Sequence, residues 1–461
     1  MPRHHRPAYR VALFATLGLG LLLWLVNYLY DRPIFLDEAN LARNLYDRSF
    51  GGLFLPLDHE QYAPPLYLLW TKALAEVAGY REWVLRLPAL LGGVLAIIGL
   101  WRAGQEMSLG SWTLLPLALL FVNPTVLRYV TEFKPYGLDL GVASLLLAWE
   151  LGSQRGRPLA WAIVGAVVPW LSLPLVFVLA AVGLRHIGRR PGFIWVIATW
   201  LLSFGCLYWL VLRPSVGSRY LNEFHARYFM PLPLSWAEVR QSAYLAFYLL
   251  RLSFGYTVVA LVTGGGLLLV GMATKTIRNR YAWLLLPLLI TVAASHFKLY
   301  TLIDRLMLFS LPGVWLFATV TAVGLYARWG RPARMVLLAL TLLMMGSTNI
   351  YRALLRPYRF TDSQQLAALA RSNPDYLADG SAVPVLDYYL RVRDNNRSAS
   401  VRRPSPGRAL PAGNYPILFD GTNNSATQEA IRDFEGRAAE RRCKSDYREL
   451  FRSGILELRC P

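Results

Sequence analysis

Asp37 and Glu38 stand side by side a few residues beyond an uninterrupted apolar segment, 9–30, that is long enough to cross a bilayer. Adjacent carboxylates at a water boundary are poor anchors and good candidates for chemistry on a substrate held there. They also suit a solvated helix start, where acids are favourable. Glu132 and Lys134 repeat the pattern, two residues apart and just ahead of an apolar run that opens at Tyr136. Boundary charges are costly and usually functional, although a surface pair or snorkelling ends would look the same. Lys298 and Arg305 flank a late apolar run, with His296, Tyr300 and Asp304 beside them, a set suited to an anion or to plain interfacial anchoring. Asp58, His59 and Glu60 are metal-binding residue types, but three neighbours in a loop rarely point inward together. A solvated loop is preferred and no metal is assigned.

The elements that must position these residues are apolar. The chain has 461 residues, 55% hydrophobic and 16% charged, which is too apolar for a soluble protein of this size. Its net charge of +20 does not indicate nucleic acid, because many basic residues lie in short links between apolar runs rather than on one soluble face. Windows of about 17 to 23 residues yield roughly eleven spans, near 9–30, 83–104, 111–127, 136–152, 158–171, 172–186, 192–213, 254–273, 281–297, 305–327 and 333–350. Pro169 and Pro174 interrupt the pair 158–186, which could be one kinked helix. Counting two spans there puts every short basic link on one side: Arg3/Arg6/Arg10, Arg102, Arg155/Arg157, Arg185/Arg189/Arg190, Lys275/Arg278/Arg280 and Arg328/Arg331/Arg334. By the positive-inside rule that side is cytoplasmic. Loops 31–82, 127–135, 213–253 and 297–304 then face the exterior, as does everything after about residue 351. The first segment lacks a small-x-small cleavage site and reads as a retained anchor.

Within loop 31–82, residues 35–44 read as a short amphipathic helix and 64–79 as a second interfacial helix, with a polar stretch from Asp58 through Tyr62 between them. In loop 213–253 the stretch 221–233 mixes His225 and other polar residues with aromatics and prolines, as a lid or acceptor platform would, or an interfacial anchor. The tail, 351–461, is polar and of domain size. It reads as a small soluble α/β domain, with strands at 382–389, 415–419 and 455–459 and helices at 363–371 and 426–441. Residues 402–411 have linker character. Of three cysteines, Cys443 and Cys460 lie in this tail, where an oxidising compartment would let them pair. Such a bridge would stabilise the tail by roughly 3 kcal/mol.

The Asp37-Glu38 pair, the Pro64-Pro65-Leu66 helix start and Arg86-Leu87-Pro88 at the start of the second span together resemble the GT-C class of membrane glycosyltransferases. The branch is that of protein O-mannosyltransferases and lipid A aminoarabinose transferases. Glu132-Phe133-Lys134-Pro135-Tyr136 is similar to the family's Glu-x-Arg-Pro-Tyr loop, and Asp304-Arg305 precedes a late span; the similarity covers about residues 8–350. It implies sugar transfer, with inversion, from a polyprenyl-phosphate sugar on the exterior face to a protein, lipid or glycan acceptor. Such a reaction needs a base, a carboxylate near the oxocarbenium-like centre and donors for the departing phosphate. Asp37 is the candidate base, Glu38 its partner or substitute, and Glu132 the residue that orients acceptor or sugar. Lys134, Arg305, Lys298 and Arg86 are candidate phosphate contacts, although Arg86 could instead pair with Asp37 or Glu38. Tyr62, His225 and Tyr136 are candidates for acceptor or lid contacts. Two departures stand out: Lys134 replaces an arginine, turning a bidentate grip into a point charge, and Ala63 stands where the aminoarabinose transferases carry a lysine.

The expected protein is thus a polytopic α-helical membrane protein of about eleven spans, GT-C-like, with a transmembrane domain at 1–350 and a periplasmic α/β domain at 351–461. It would sit in a bacterial inner membrane with a cytoplasmic N-terminus, serve cell-envelope glycosylation as a hexosyl- or pentosyltransferase, and require no cofactor. A transporter or flippase of a lipid-linked sugar and a non-catalytic assembly factor are the alternatives. The former would place charges near mid-membrane, often in paired halves.

Overall fold

The computed structural model describes residues 7–30, 32–152, 157–214, 223–255, 257–346, 359–404 and 410–461. Arg3, Arg6, Arg155, Leu221, Asn222, the boundary at 350/351 and 405–409 of the linker stretch lie outside them. The chain divides into two compact units. One comprises 1–29, 63–67 and 86–357; the other comprises 30–62, 68–85 and 358–461.

The first unit is helical, and each of the eleven apolar windows contains helix. Among the described residues four helices are long and apolar enough to cross a membrane: Tyr9–Leu29, Glu82–Glu106, Phe193–Leu212 and Asp304–Arg328. Trp236–Phe254 and Val258–Ala273 meet that standard as a pair bent by 99°, while Gly110–Val122, Pro158–Leu171 and Leu175–His186 are shorter apolar helices. Trp236–Phe254 lies in what the sequence suggests is a loop. Its start is written in the chain as Ser235-x-x-Glu238: the Ser235 hydroxyl accepts the Glu238 N–H, and polar residues along its length mask the apolar signal.

Two local devices position the second polar loop, 127–135. Asn123 caps the helix Pro124–Tyr129 by accepting from the N–H groups of Thr125 and Val126, and its amide donates to the Leu252 carbonyl at 2.7 Å. On the other side the helix Tyr136–Gly152 crosses Glu82–Glu106 at glycine. A Cβ on Gly137 would lie 2.4 Å from the Ala89 carbonyl oxygen, and one on Gly141 would lie 2.1 Å from that of Gly92. Only hydrogen fits, as in small-xxx-small membrane packing.

In the second unit a four-stranded sheet is ordered β1 (Leu377–Ala378), β2 (Gly413–Asp420), β4 (Ser453–Cys460), β3 (Lys444–Leu450). β1 runs parallel to β2, and the other pairings are antiparallel. The helix Ser425–Glu440 lays Ile431, Phe434 and Ala438 on the Ile417, Phe419, Leu456 and Leu458 side chains, and Cys443 is bonded to Cys460. The strand expected at 382–389 is helical instead: Val383–Asp387 runs into a wider turn, Tyr388–Val392. An apolar run cannot by itself tell strand from buried helix, but Pro384 could, since proline suits a helix's first turn and not a strand interior. β3 escapes the period-two pattern because it is an edge strand, exposed along most of its length.

Loop one contributes to this unit the helix Leu36–Asp47 and residues 68–78 of the helix Pro65–Ala78. Leu41, Leu45 and Ala39 are buried on the first. Ile34 N–H donates to the Tyr389 hydroxyl, the Ser363 hydroxyl to the Ile34 carbonyl, and the Tyr388 hydroxyl to the Tyr80 carbonyl.

Candidate functional site

Glu38 occupies the third position of its helix and is fully buried. One of its oxygens accepts the Phe35 N–H at 3.3 Å and the other lies 3.8 Å from the Arg32 guanidinium. Arg32, itself 3% exposed, sits over the Phe360 ring, on which Phe35 stacks at 4.3 Å. Glu38 is therefore committed to capping its helix and neutralising a buried arginine, Arg32. Asp37, one residue earlier, is partly exposed. The pair thus divides into one carboxylate set inside and one at the surface.

The same helix is cross-linked further along. Asp387 receives Arg43 at 2.6 Å and Arg391 at 2.8 Å, and Arg391 also grips Asp47 with both terminal nitrogens. The two arginines hold the Asp387 carboxyl below its usual value against the opposing effect of burial. Nothing in the sequence ties Asp387 or Arg391 to loop one, because the pairings of Asp387 with Arg43 and of Arg391 with Asp47 span 344 residues; only charge type marks them. Asp58, His59 and Glu60 are exposed. Asp58 pairs with Arg48 at 3.0 Å, and burial followed by the Arg43 charge lowers the His59 pKa. Among the described residues no three His, Cys, Asp or Glu side chains are grouped so as to hold a metal ion. Tyr62 is half-buried.

In the first unit the second loop is buried. Glu132 is 2% exposed and Lys134 5%, so a solvent-facing Glu-Lys pair is excluded. Arg128 reaches Glu132 at 3.1 Å, and its guanidinium lies over the Tyr129 ring, which meets Tyr136 edge-on at 5.2 Å. Lys134 N–H donates to the Glu132 carbonyl at 2.8 Å, folding the loop back on itself. Burial pushes the Tyr129 hydroxyl well above its usual pKa, and the Glu132 charge adds to it, while Arg128, Asp304 and Arg305 act on the same hydroxyl. The segment Asp304–Ser310 packs on the helix Tyr136–Gly152. Asp304 N–H donates to the Tyr248 hydroxyl, and the Asp304 carboxylate accepts the Arg305 N–H at 2.7 Å. Glu132, Arg305 and Tyr136 are thus brought together around Tyr129. Arg86 is buried on the helix Glu82–Glu106, whereas Lys298 is exposed, with left-handed backbone (φ 56°), in the turn after helix Leu286–His296.

His225 opens the short turn Ala226–Tyr228. Tyr228 O accepts the Leu302 N–H at 3.0 Å and Met230 N–H donates to the Ser295 hydroxyl, which ties this stretch to the segment leading into Arg305. Arg305 lies 5.9 Å from the centre of the Phe224 ring. Burial first, and the Arg305 charge second, push the His225 pKa down to about 4. Tyr129 and Arg128 carry no weight in the sequence reading; an Arg-x-x-x-Glu spacing, one helical turn, is the signal that could have marked Arg128.

No protein family matches the chain by sequence, and no curated protein does. Among solved structures the chain is similar to ArnT from Cupriavidus metallidurans in the apo state, with TM-score 0.54 and 15% identity over 98% of each chain. It is also similar to that ArnT bound to undecaprenyl phosphate, with TM-score 0.52 and 13% identity over 96% of this chain and 97% of the other. The likeness is one of fold. It extends along nearly the whole chain and agrees with the polytopic helical architecture expected from the apolar windows.

Proposed function

We propose that this chain is a glycosyltransferase that moves a sugar from a polyprenyl-phosphate donor to an acceptor hydroxyl or phosphate on the exterior, periplasmic face of a bacterial inner membrane, with inversion. The carrying observation is the charge set of the second polar loop: Glu132 and Lys134 are buried there, Arg128 pairs with Glu132, and Asp304 and Arg305 act on the same Tyr129 hydroxyl. Charge held at a membrane boundary is costly and usually functional, and a set that holds three cations suits an anion. The fold shared with a protein held with undecaprenyl phosphate supports a lipid phosphate as that anion.

In this reading the C1–O bond to the donor phosphate breaks as the C1–O bond to the acceptor forms from the opposite face. The acceptor proton passes to Asp37, whose partial exposure supports it over Glu38 as the base. Lys134 and Arg305, with Arg86 and Lys298, hold the phosphate as its charge grows. Glu132 orients acceptor or sugar, and Tyr62 and Tyr136 line the acceptor side. About eleven spans, a cytoplasmic N-terminus and a periplasmic α/β domain of residues 351–461 complete the arrangement, and no metal is required.

The test is reconstitution in vesicles with a panel of polyprenyl-phosphate sugars. Donor consumption by the wild type and its loss in Arg305→Ala are expected. Lipid-linked sugar crossing the vesicle without being consumed would replace this function with transport.

A further inference from the structure

His225 is an unusual residue to hold where it is. Its Nδ1 is covered and has no hydrogen-bond partner among the described residues. The Phe224 ring stands edge-on to it at 5.0 Å, and the guanidinium of Arg305 faces that same Phe224 ring. Buried polar atoms are nearly always satisfied, and an apolar side chain would fill this place at less cost. The position is not loose either. Hydrogen bonds from Leu302 to Tyr228, from Met230 to Ser295 and from Gln241 to the Phe229 carbonyl fix the backbone on its C-terminal side. The imidazole and the Arg305 guanidinium thus share one aromatic ring, and the covered Nδ1 has no hydrogen-bond partner among the described residues.

Several charges lie on the elements around it. Glu223 and Arg227 are exposed on its own segment, the latter over the Tyr228 ring. Asp304 and Arg305 lie on the segment Asp304–Ser310, His296 and Lys298 near the end of helix Leu286–His296, and Glu238 and Arg240 on Trp236–Phe254. Of these, Arg305 is the one whose charge acts on His225. With the site empty, burial and that cation keep the imidazole neutral. A phosphate docked on Arg305 reverses the local field, since an anion within about 4–6 Å favours the charged form.

We propose that His225 is a proton-coupled phosphate contact, neutral in the empty site and protonated when a lipid phosphate docks on Arg305, where it adds a second cation to the grip. The inference rests on the phosphate-binding reading of Arg305. The proton is taken from solvent on binding and returned on release; no covalent bond changes. The contact also discriminates by charge. A phosphodiester donor carries one negative charge, while the phosphomonoester left after transfer carries up to about two, its second pKa being near 6. His225 therefore strengthens as the leaving phosphate develops, so its loss is expected to lower kcat more than it raises KM.

Calorimetry on the full-length protein with farnesyl phosphate, at one pH in two buffers of different ionisation enthalpy, tests this. The wild type is expected to take up more protons per phosphate bound than His225→Gln, and to bind about tenfold more tightly at pH 7. Relative to the variant, whose affinity follows only the titration of the ligand itself, the wild type should lose affinity as pH rises from 6 to 8. His225→Lys, always charged, should restore affinity without the proton uptake. If His225→Gln and the wild type take up equal numbers of protons with equal pH slopes, while Arg305→Ala abolishes binding, the inference is wrong and the phosphate reading stands. If Arg305→Ala binds as the wild type does, both fall.

Discussion

The region around Glu38 and the region around Glu132 are built from the same pieces and put to different ends. Each holds a buried carboxylate beside an arginine: Glu38 with Arg32, and Glu132 with Arg128. In the first, Glu38 also caps a helix and the Arg32 guanidinium covers an aromatic ring, while Asp387 and Asp47 take up the other arginines of the helix face. Charge is balanced there, and the outcome is a rigid frame that leaves Asp37 partly exposed. In the second, Glu132 and Lys134 are buried beside Arg128, and a buried tyrosine hydroxyl feels Glu132, Arg128, Asp304 and Arg305 at once. The first arrangement is committed to its helix; the second gathers charges of both signs on one hydroxyl.

This contrast is broken most directly at the neighbouring acids of loop one. Asp37→Asn is expected to reduce donor consumption by about 100-fold or more with unchanged thermal unfolding. Glu38→Gln leaves Arg32 buried without its counter-charge and is expected to lower stability by about 3 kcal/mol, read as an earlier melt of the detergent-solubilised protein. If Glu38→Gln instead melts like the wild type and is inactive, the two roles are exchanged.

A smaller effect is expected in the second region. Glu132→Gln should lower kcat by about tenfold, and stability by no more than about 1–2 kcal/mol, because Arg128 is partly exposed and can turn to water. A loss of stability as large as that of Glu38→Gln would make this region architectural too.

The smallest effect concerns a third buried acid, satisfied by hydroxyls rather than arginine. The Asp420 carboxylate accepts the Ser453 hydroxyl at 3.0 Å, and burial raises its pKa from 3.8 to about 7. The folded form therefore prefers the protonated acid. Its contribution to stability is complete below pH 4, falls as pH rises toward 7 and is gone above it. Between pH 6 and pH 8 the loss is about 1 kcal/mol, seen as faster hydrogen exchange of β2 and β4 amides in the full-length protein. Asp420→Asn should abolish that pH difference.

Much of the scaffold was legible from local order. The apolar windows are helices because a bilayer-length apolar run has few other ways to satisfy its backbone, and Ser363–Ser372, Ser425–Glu440, β2 and β4 follow their periodicity. The bent helix Trp236–Phe254 and the helical 383–392 were missed because single residues, Ser235 and Pro384, carried signals that the surrounding composition outweighed.

Of the candidate site, residue order alone placed Asp37, Glu38, Glu132, Lys134, Arg305 and His225 in the polar stretches between apolar runs. That follows from position along the chain, since charge is expelled to span ends by the cost of burying it in lipid. Packing in three dimensions settled how the charges were partnered. Arg128 and Glu132 meet across one helical turn, a spacing the sequence carries, whereas Arg43 meets Asp387 and Arg391 meets Asp47 across 344 residues, and Arg305 acts on His225 and Tyr129. Long-range pairing of that kind depends on which distant groups the packing brings within a few ångströms, and Coulomb energy at that range has no signature in local sequence.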